Sequence, residues 1–520
     1  MLYTADQCNG RFQNPILFAD YSDPDVIRVD ETYYMTASSF NYTPGLPILT
    51  SHDLVNWELK NYALNNIQYD DYKIPQHSKG VWAPSIRYHE GCFYIFYGMP
   101  DEGIFMVKST DPLGKWNDPV QVLSGKGLID PCPLWDDDGK AYIVHAYAKS
   151  RIGFKSHLGI FEINKEGTKA VSEDHILYNG LNTQPTIEGP KVYKREGYYY
   201  IMAPAGGVKT GWQTVLRSKN IHGPFEEKIV LRQKDTDVNG PHQGGWVDTV
   251  HGEDWFIHFQ DKGLYGRICH LQPVNWVDGW PAMGVDADDD YCGKPMLYGN
   301  KPMTAIIDKP CYLEASDQFS KETLNLQWQW MGNHYNRFYS LTANPRAIRL
   351  YSLNPSNKEK PVLWEQANVL TQKLVCPHFE CITSVNFAGL QENEQAGLVM
   401  MGGKYAYLAV RMVNGKKKLI LAEAYEDVDG IRERFTEVID IEDDINSLKL
   451  GLCLAEDKGL LTFDFYYYDM EDRKYKVDTD FFPSDHTWVG AKIGLFAHAL
   501  DNREHAGYAD FGYIRVMAYD

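Results

Sequence analysis

Along the first 300 residues, short apolar and aromatic runs alternate with clusters of Asp, Glu and Gly, and long helical periodicity is almost absent. A period of two bounded by turn residues predicts strands paired as hairpins. Five such hairpins look alike. Val26-Ile27-Arg28-Val29 turns at Asp30-Glu31 into Tyr33-Tyr34-Met35, and Ser85-Ile86-Arg87-Tyr88 turns at Glu90-Gly91 into Phe93-Tyr94-Ile95. Pro133-Leu134-Trp135 turns at Asp138-Gly139 into Ala141-Tyr142-Ile143, and Lys191-Val192-Tyr193 at Glu196-Gly197 into Tyr199-Tyr200-Ile201. The fifth runs from Trp246 to Val250 and turns at Gly252-Glu253 into Trp255-Phe256-Ile257. Acidic residues and glycine supply the local hydrogen bonds and positive φ that tight tips need.

Tyr33, Phe93, Ala141, Tyr199 and Trp255 are separated by 60, 48, 58 and 56 residues. A second element recurs downstream: Ser51-His52-Asp53-Leu54 before Trp57, Ser109-Thr110-Asp111-Pro112 before Trp116, and Ser218-Lys219-Asn220-Ile221 before Phe225. Each repeat therefore holds about four strands, the signature of a propeller blade. The pattern changes after Lys309-Pro310. Alternating segments such as Leu398-Val399-Met400-Met401 and Leu461-Thr462-Phe463-Asp464-Phe465 then suggest two packed sheets. The expectation is an all-β chain, with a five-bladed β-propeller over 1–308 and a β-sandwich over 309–520. No Ser- or Gly-rich linker separates them, so tight packing is expected.

A net charge of -19 argues against nucleic acid or an anionic membrane as partner and leaves a neutral substrate open. No apolar stretch is long enough to span a bilayer. Nine scattered cysteines form no zinc-type pairs, which points to reduced thiols. Met1-Leu2-Tyr3-Thr4-Ala5-Asp6 lacks the basic start and apolar run of a signal peptide, so a cytoplasmic protein is expected. Assembly into a homo-oligomer is left open.

The informative residues precede the hairpins. Asp23-Pro24 and Ala83-Pro84 lie ten residues before Tyr33 and Phe93, while Asp130-Pro131 and Glu188-Gly189-Pro190 begin eleven before Ala141 and Tyr199. One position at the start of each blade's first strand is thus expected to carry Asp, Ala, Asp and Glu. In a propeller these first strands line the axis, so the acids converge. Clustered carboxylates repel and lose solvation, which stability alone does not favour. A bound metal is one explanation. Glycoside hydrolysis is the other: it needs one carboxyl protonated and another ionised.

These motifs resemble glycoside hydrolase family 43, whose members carry Asp-Pro in blades one and three and Glu-Gly-Pro in blade four. The resemblance implies inversion of configuration, with Asp23 as general base, Glu188 as general acid and Asp130 tuning and orienting Glu188. It also implies sugar-pocket walls at Trp82 and Phe40, and an arginine for substrate hydroxyls at Arg267. His242 matches a central histidine that in many relatives binds a largely hydrated calcium ion. The second domain is similar to the concanavalin-like sandwich of exo-acting xylosidases and arabinofuranosidases, through Asp317-Gln318-Phe319, Trp328-Gln329-Trp330, Ile348-Arg349-Leu350 and Ala509-Asp510-Phe511. Terminal β-D-xylose or α-L-arabinofuranose on small plant-wall oligosaccharides is the implied substrate. Many xylosidase relatives close the pocket with a sandwich Phe. Lys492 stands there instead, which counts against a direct sandwich role and against strict xylose preference. Retaining fructan- and sucrose-cleaving propellers carry different motifs from Tyr21-Ser22-Asp23-Pro24-Asp25 and Ile187-Glu188-Gly189-Pro190. A sugar-binding propeller without catalysis gives no reason for three clustered acids.

Overall fold

The structure is a computed structural model that describes residues 2–519 apart from 287, 289 and 357–360; Met1 and Asp520, the outer ends of the two expected domains, lie outside the described residues. Five four-stranded antiparallel sheets follow one another in sequence, each formed by consecutive strands. Their innermost strands are Asp25–Val29, Trp82–His89, Leu128–Trp135, Lys191–Arg195 and His242–Asp248. The hairpin tips are where the sequence put them. His89 pairs with Cys92 across Glu90-Gly91, and Arg195 pairs with Tyr198 across Glu196-Gly197. All four tip residues have positive φ, the two-residue turn that matches strand twist. The recurring Ser-x-Asp element leads from the third strand to the fourth: Ser51 Oγ accepts from Leu54 N at 2.9 Å, and Asp53 Oδ1 from Val55 N at 3.0 Å.

Alternation explains how the blades stack. In the strand Cys92–Met99, Ile95 and Tyr97 pack toward blade one with Ile48 and Ile86, while Tyr94 and Phe96 face blade three with Ile143 and Phe161. Each blade is contiguous in sequence, so other contacts close the ring. Arg28 of blade one pairs with Asp248 of blade five at 2.7 Å, and the lead-in residue Leu17 bridges Cys269.

The second domain is a sandwich of two seven-stranded sheets. Thr43 and Trp330 pair as an isolated bridge between the domains, and His77 stacks on Trp364 with ring centroids 3.5 Å apart. A cleft of about 750 Å³ opens between the domains beside Tyr21, Tyr62 and Lys373, and none of the three acids lines it. Among the described residues no helix is long and apolar enough to cross a membrane.

Candidate active site

The start of every innermost strand is irregular. Pairing slips between Trp82 and Ser85, between Ile129 and Cys132, and between His242 and Gly244. Asp23, Ala83, Asp130, Gly189 and Gln243 take φ of 56, 23, 57, 56 and 40°. In four blades proline follows, a residue that has no N–H to offer where the ladder is interrupted. This alignment corrects one expectation. The blade-four equivalent of Asp23 and Asp130 is Gly189, and Glu188 sits one residue ahead of it. Its counterpart in blade five is His242, and the two side chains meet, Glu188 Oε1 to His242 Nε2 at 3.0 Å. A side chain at Gly189 would be strained at its φ and would press on Gln243, 2.5 Å from the Cβ position.

Hydrogen bonds tie each acid to a neighbouring blade. Asp23 Oδ1 accepts from Arg267 Nη1 at 2.8 Å. Its Oδ2 accepts from Ser22 at 2.8 Å and Ser38 at 2.6 Å. Ser38 Oγ in turn accepts the Ala83 N–H of blade two at 2.7 Å. Asp130 Oδ2 accepts the Gly189 N–H at 2.8 Å, which joins blade three to blade four. Asp23 and Asp130 are only 5% and 4% exposed, whereas the Glu188 side chain is 28% exposed. Glu188 is therefore the acid an incoming oxygen reaches most easily.

Burial, with the charges of Glu188 and Asp23, pushes the Asp130 pKa up to about 8. Asp130 therefore keeps its proton at neutral pH in the free protein, a detail the motif alone could not supply.

Aromatic rings wall the space above the acids. Phe40 and Trp82 lie edge to face with centroids 6.5 Å apart, and Trp82 meets Trp488 of the sandwich at 6.4 Å. The Arg267 guanidinium lies 5.2 Å from the Trp488 ring centroid. Gly490 makes this approach feasible: a Cβ there would be 2.5 Å from Gly266 N. Lys492 is buried, 3.8 Å from Asp20 Oδ2 and 4.6 Å from the Tyr42 ring centroid. The sandwich therefore does reach the site, through Trp488 four residues earlier. No pattern along the chain marks this residue, because a lone loop tryptophan has no period to expose it.

The chain matches "Glycosyl hydrolases family 43" over residues 12–281 and "Beta xylosidase C-terminal Concanavalin A-like domain" over 316–517. It belongs to glycoside hydrolase family 43. A β-xylosidase of Formosa agariphila is 31% identical over 556 residues, spanning 97% of this chain and 90% of that one. A non-reducing end α-L-arabinofuranosidase of Bacteroides ovatus is also 31% identical, covering 80% and 79% of the two chains. The solved structure of a variant family 43 protein from Bacillus licheniformis superposes with a TM-score of 0.81 at 26% identity, covering 98% of this chain and 100% of that one. The protein is accordingly a glycoside hydrolase of an inverting family, and neither the fructan-type nor the lectin reading is favoured.

For the largely hydrated calcium ion expected from the family 43 resemblance, His242 is the protein donor and water would supply the remaining oxygens. Among the described residues no group of three or more His, Cys, Asp or Glu side chains is placed to hold a metal ion. His242 offers one nitrogen, Nδ1, which has no hydrogen-bond partner. Calcium prefers six to eight oxygens, so no catalytic step is assigned to it.

Trp488→Ala tests the sandwich contribution to this family 43 pocket. Loss of one aromatic wall is expected to raise KM for a glycoside about tenfold, with a smaller change in kcat. An unchanged KM would show that the ring does not touch substrate.

Proposed function

We propose that this family 43 enzyme removes terminal β-D-xylose or α-L-arabinofuranose from plant-wall oligosaccharides, using Asp23 as base and Glu188 as acid. The observation that carries this reading is the meeting of three carboxyl groups from blades one, three and four beneath an aromatic-walled opening. Water held by Asp23 gives up a proton to that carboxylate while its oxygen bonds the anomeric carbon. The bond to the leaving oxygen breaks on the opposite face, and Glu188 delivers its proton there. Arg267, fixed by Asp23, supplies donors for sugar hydroxyls. Xylopyranose and arabinofuranose place similar hydroxyls around a similar anomeric centre, and the relatives' names include both activities. The test is a rate comparison on p-nitrophenyl β-D-xyloside, α-L-arabinofuranoside and β-D-fructoside. Turnover of either pentoside supports the reading; turnover of the fructoside alone rejects it.

An Asp130→Asn variant removes the buried carboxyl whose pKa is pushed up to about 8, so the alkaline limb of kcat/KM is expected to move to lower pH. Stability should respond too. Asp130 has a folded-state pKa of about 8, above an unfolded value near 3.9. The folded chain therefore holds the extra proton between these values, and that stability is lost as pH rises through the window. Asn keeps an oxygen for Gly189 N without a charge. The Tm difference between variant and wild type should widen in the variant's favour from pH 5 to 8. A difference independent of pH contradicts the assignment.

A further inference from the structure

The floor beneath the acids is built from charges. Two residues beyond the positive-φ position, on the same side of each innermost strand, stand Asp25, Ser85, Cys132, Lys191 and Gly245. All are buried. Lys191 leaves blade four and reaches blade two, where its Nζ donates to Pro84 O and Ser85 Oγ, both at 2.8 Å. Blades two and four are not neighbours, so the ammonium spans the propeller axis. Asp25 of blade one accepts from Ile86 N at 2.8 Å and from Arg87 Nη1 at 2.6 Å. The other end of that guanidinium reaches Cys132 Sγ at 3.0 Å and lies over the Tyr193 ring. Gly245 leaves the room for this layer: a Cβ there would lie 2.6 Å from Asp25 Oδ1.

Two cations, Lys191 and Arg87, thus face one floor anion, Asp25. Arg87 is paired with Asp25, which leaves Lys191 with only neutral oxygens as hydrogen-bond partners among the described residues. Two residues earlier in the chain than Asp25 and Cys132 stand Asp23 and Asp130, and Glu188 and His242 precede the same position in blades four and five. Three carboxyl groups crowded together need compensating positive charge; Arg267 pairs with Asp23, and the Lys191 charge acts on Asp130.

We propose that the Lys191 ammonium is the axial counter-ion of this active site, occupying as a permanent side chain the electrostatic place that the family resemblance gave to calcium. Lys191 is a positioning residue: it touches no substrate and acts through Asp130 and Glu188. The proposal rests on the reading of those two as the acid pair, which wild-type turnover of a pentoside checks independently. Its first consequence is that hydrolysis needs no added metal. Its second concerns charge. With the cation gone, Asp130 holds its proton more firmly, so the alkaline limb moves to higher pH, the opposite of the Asp130→Asn shift.

The experiment uses the full chain in three forms: wild type, Lys191→Met and Lys191→Gln. Gln keeps donors for Pro84 O and Ser85 Oγ but carries no charge, and it remains testable if the Met variant does not fold. Both variants are expected to lose kcat by about tenfold to hundredfold, with little change in KM and an upward shift of the alkaline limb. EDTA-treated wild type is expected to keep full activity, and calcium to add none. Wild-type kcat and pH profile in Lys191→Gln would show that hydrogen bonding alone is the role of Lys191 and would overturn the proposal. Loss of wild-type activity in EDTA, restored by calcium, would overturn it as well.

Discussion

Replacing Glu188 by alanine is expected to cut turnover of an unactivated xylo- or arabino-oligosaccharide by roughly a hundred- to ten-thousandfold, the range typical of a lost general acid. The loss should depend on the leaving group. A dinitrophenyl glycoside departs without protonation, so its rate should fall far less than that of the natural linkage. Folding should survive, because Glu188 is partly exposed and its one side-chain hydrogen bond runs to His242. Equal losses on both substrates would mean that Glu188 does not protonate the leaving oxygen.

Asp23→Ala is expected to be at least as damaging, and for two separable reasons. The base that activates water disappears, which removes turnover on every substrate whatever its leaving group. The change also strands the buried Arg267, whose guanidinium pairs with Asp23 at 2.8 Å. Removing one partner of a buried ion pair costs about 3–5 kcal/mol. Asp23→Asn separates these effects. It keeps an oxygen for Arg267, and the hydroxyls of Ser22 and Ser38 can turn to meet an amide. The Asn variant should therefore melt closer to wild type while remaining as inactive as the Ala variant on dinitrophenyl and oligosaccharide substrates alike. An active Asp23→Asn enzyme would remove Asp23 from the base role.

Much of this arrangement was legible in the sequence, and the exceptions have physical causes. Tips such as Glu90-Gly91 and Glu196-Gly197 were readable because turn chemistry is local and recurs in register with the strands. Asp23 and Asp130 were readable because repetition put them at one position of two blades. Glu188 was found by its motif, yet its one-residue offset was hidden, since proline marks the bulge and not the residue that projects from it. Ser22 and Ser38 hold the proposed base but look like ordinary turn residues. Lys191 sits three residues after Glu188 in a strand where lysine usually marks a solvated face; only the third dimension shows it crossing the axis. Trp488 required knowledge of how the sandwich docks, which no pattern within either domain contains.

The whole mechanism depends on there being space for a water molecule between Asp23 and the sugar. Proton NMR of the first sugar released from a β-xyloside, recorded before mutarotation, reads this directly. Attack by water from the opposite face releases α-xylose first, with β-xylose appearing only as the anomers equilibrate. If β-xylose is the first product, the carboxylate attacks the sugar itself, and the assignment of Asp23 as a base acting through water is wrong.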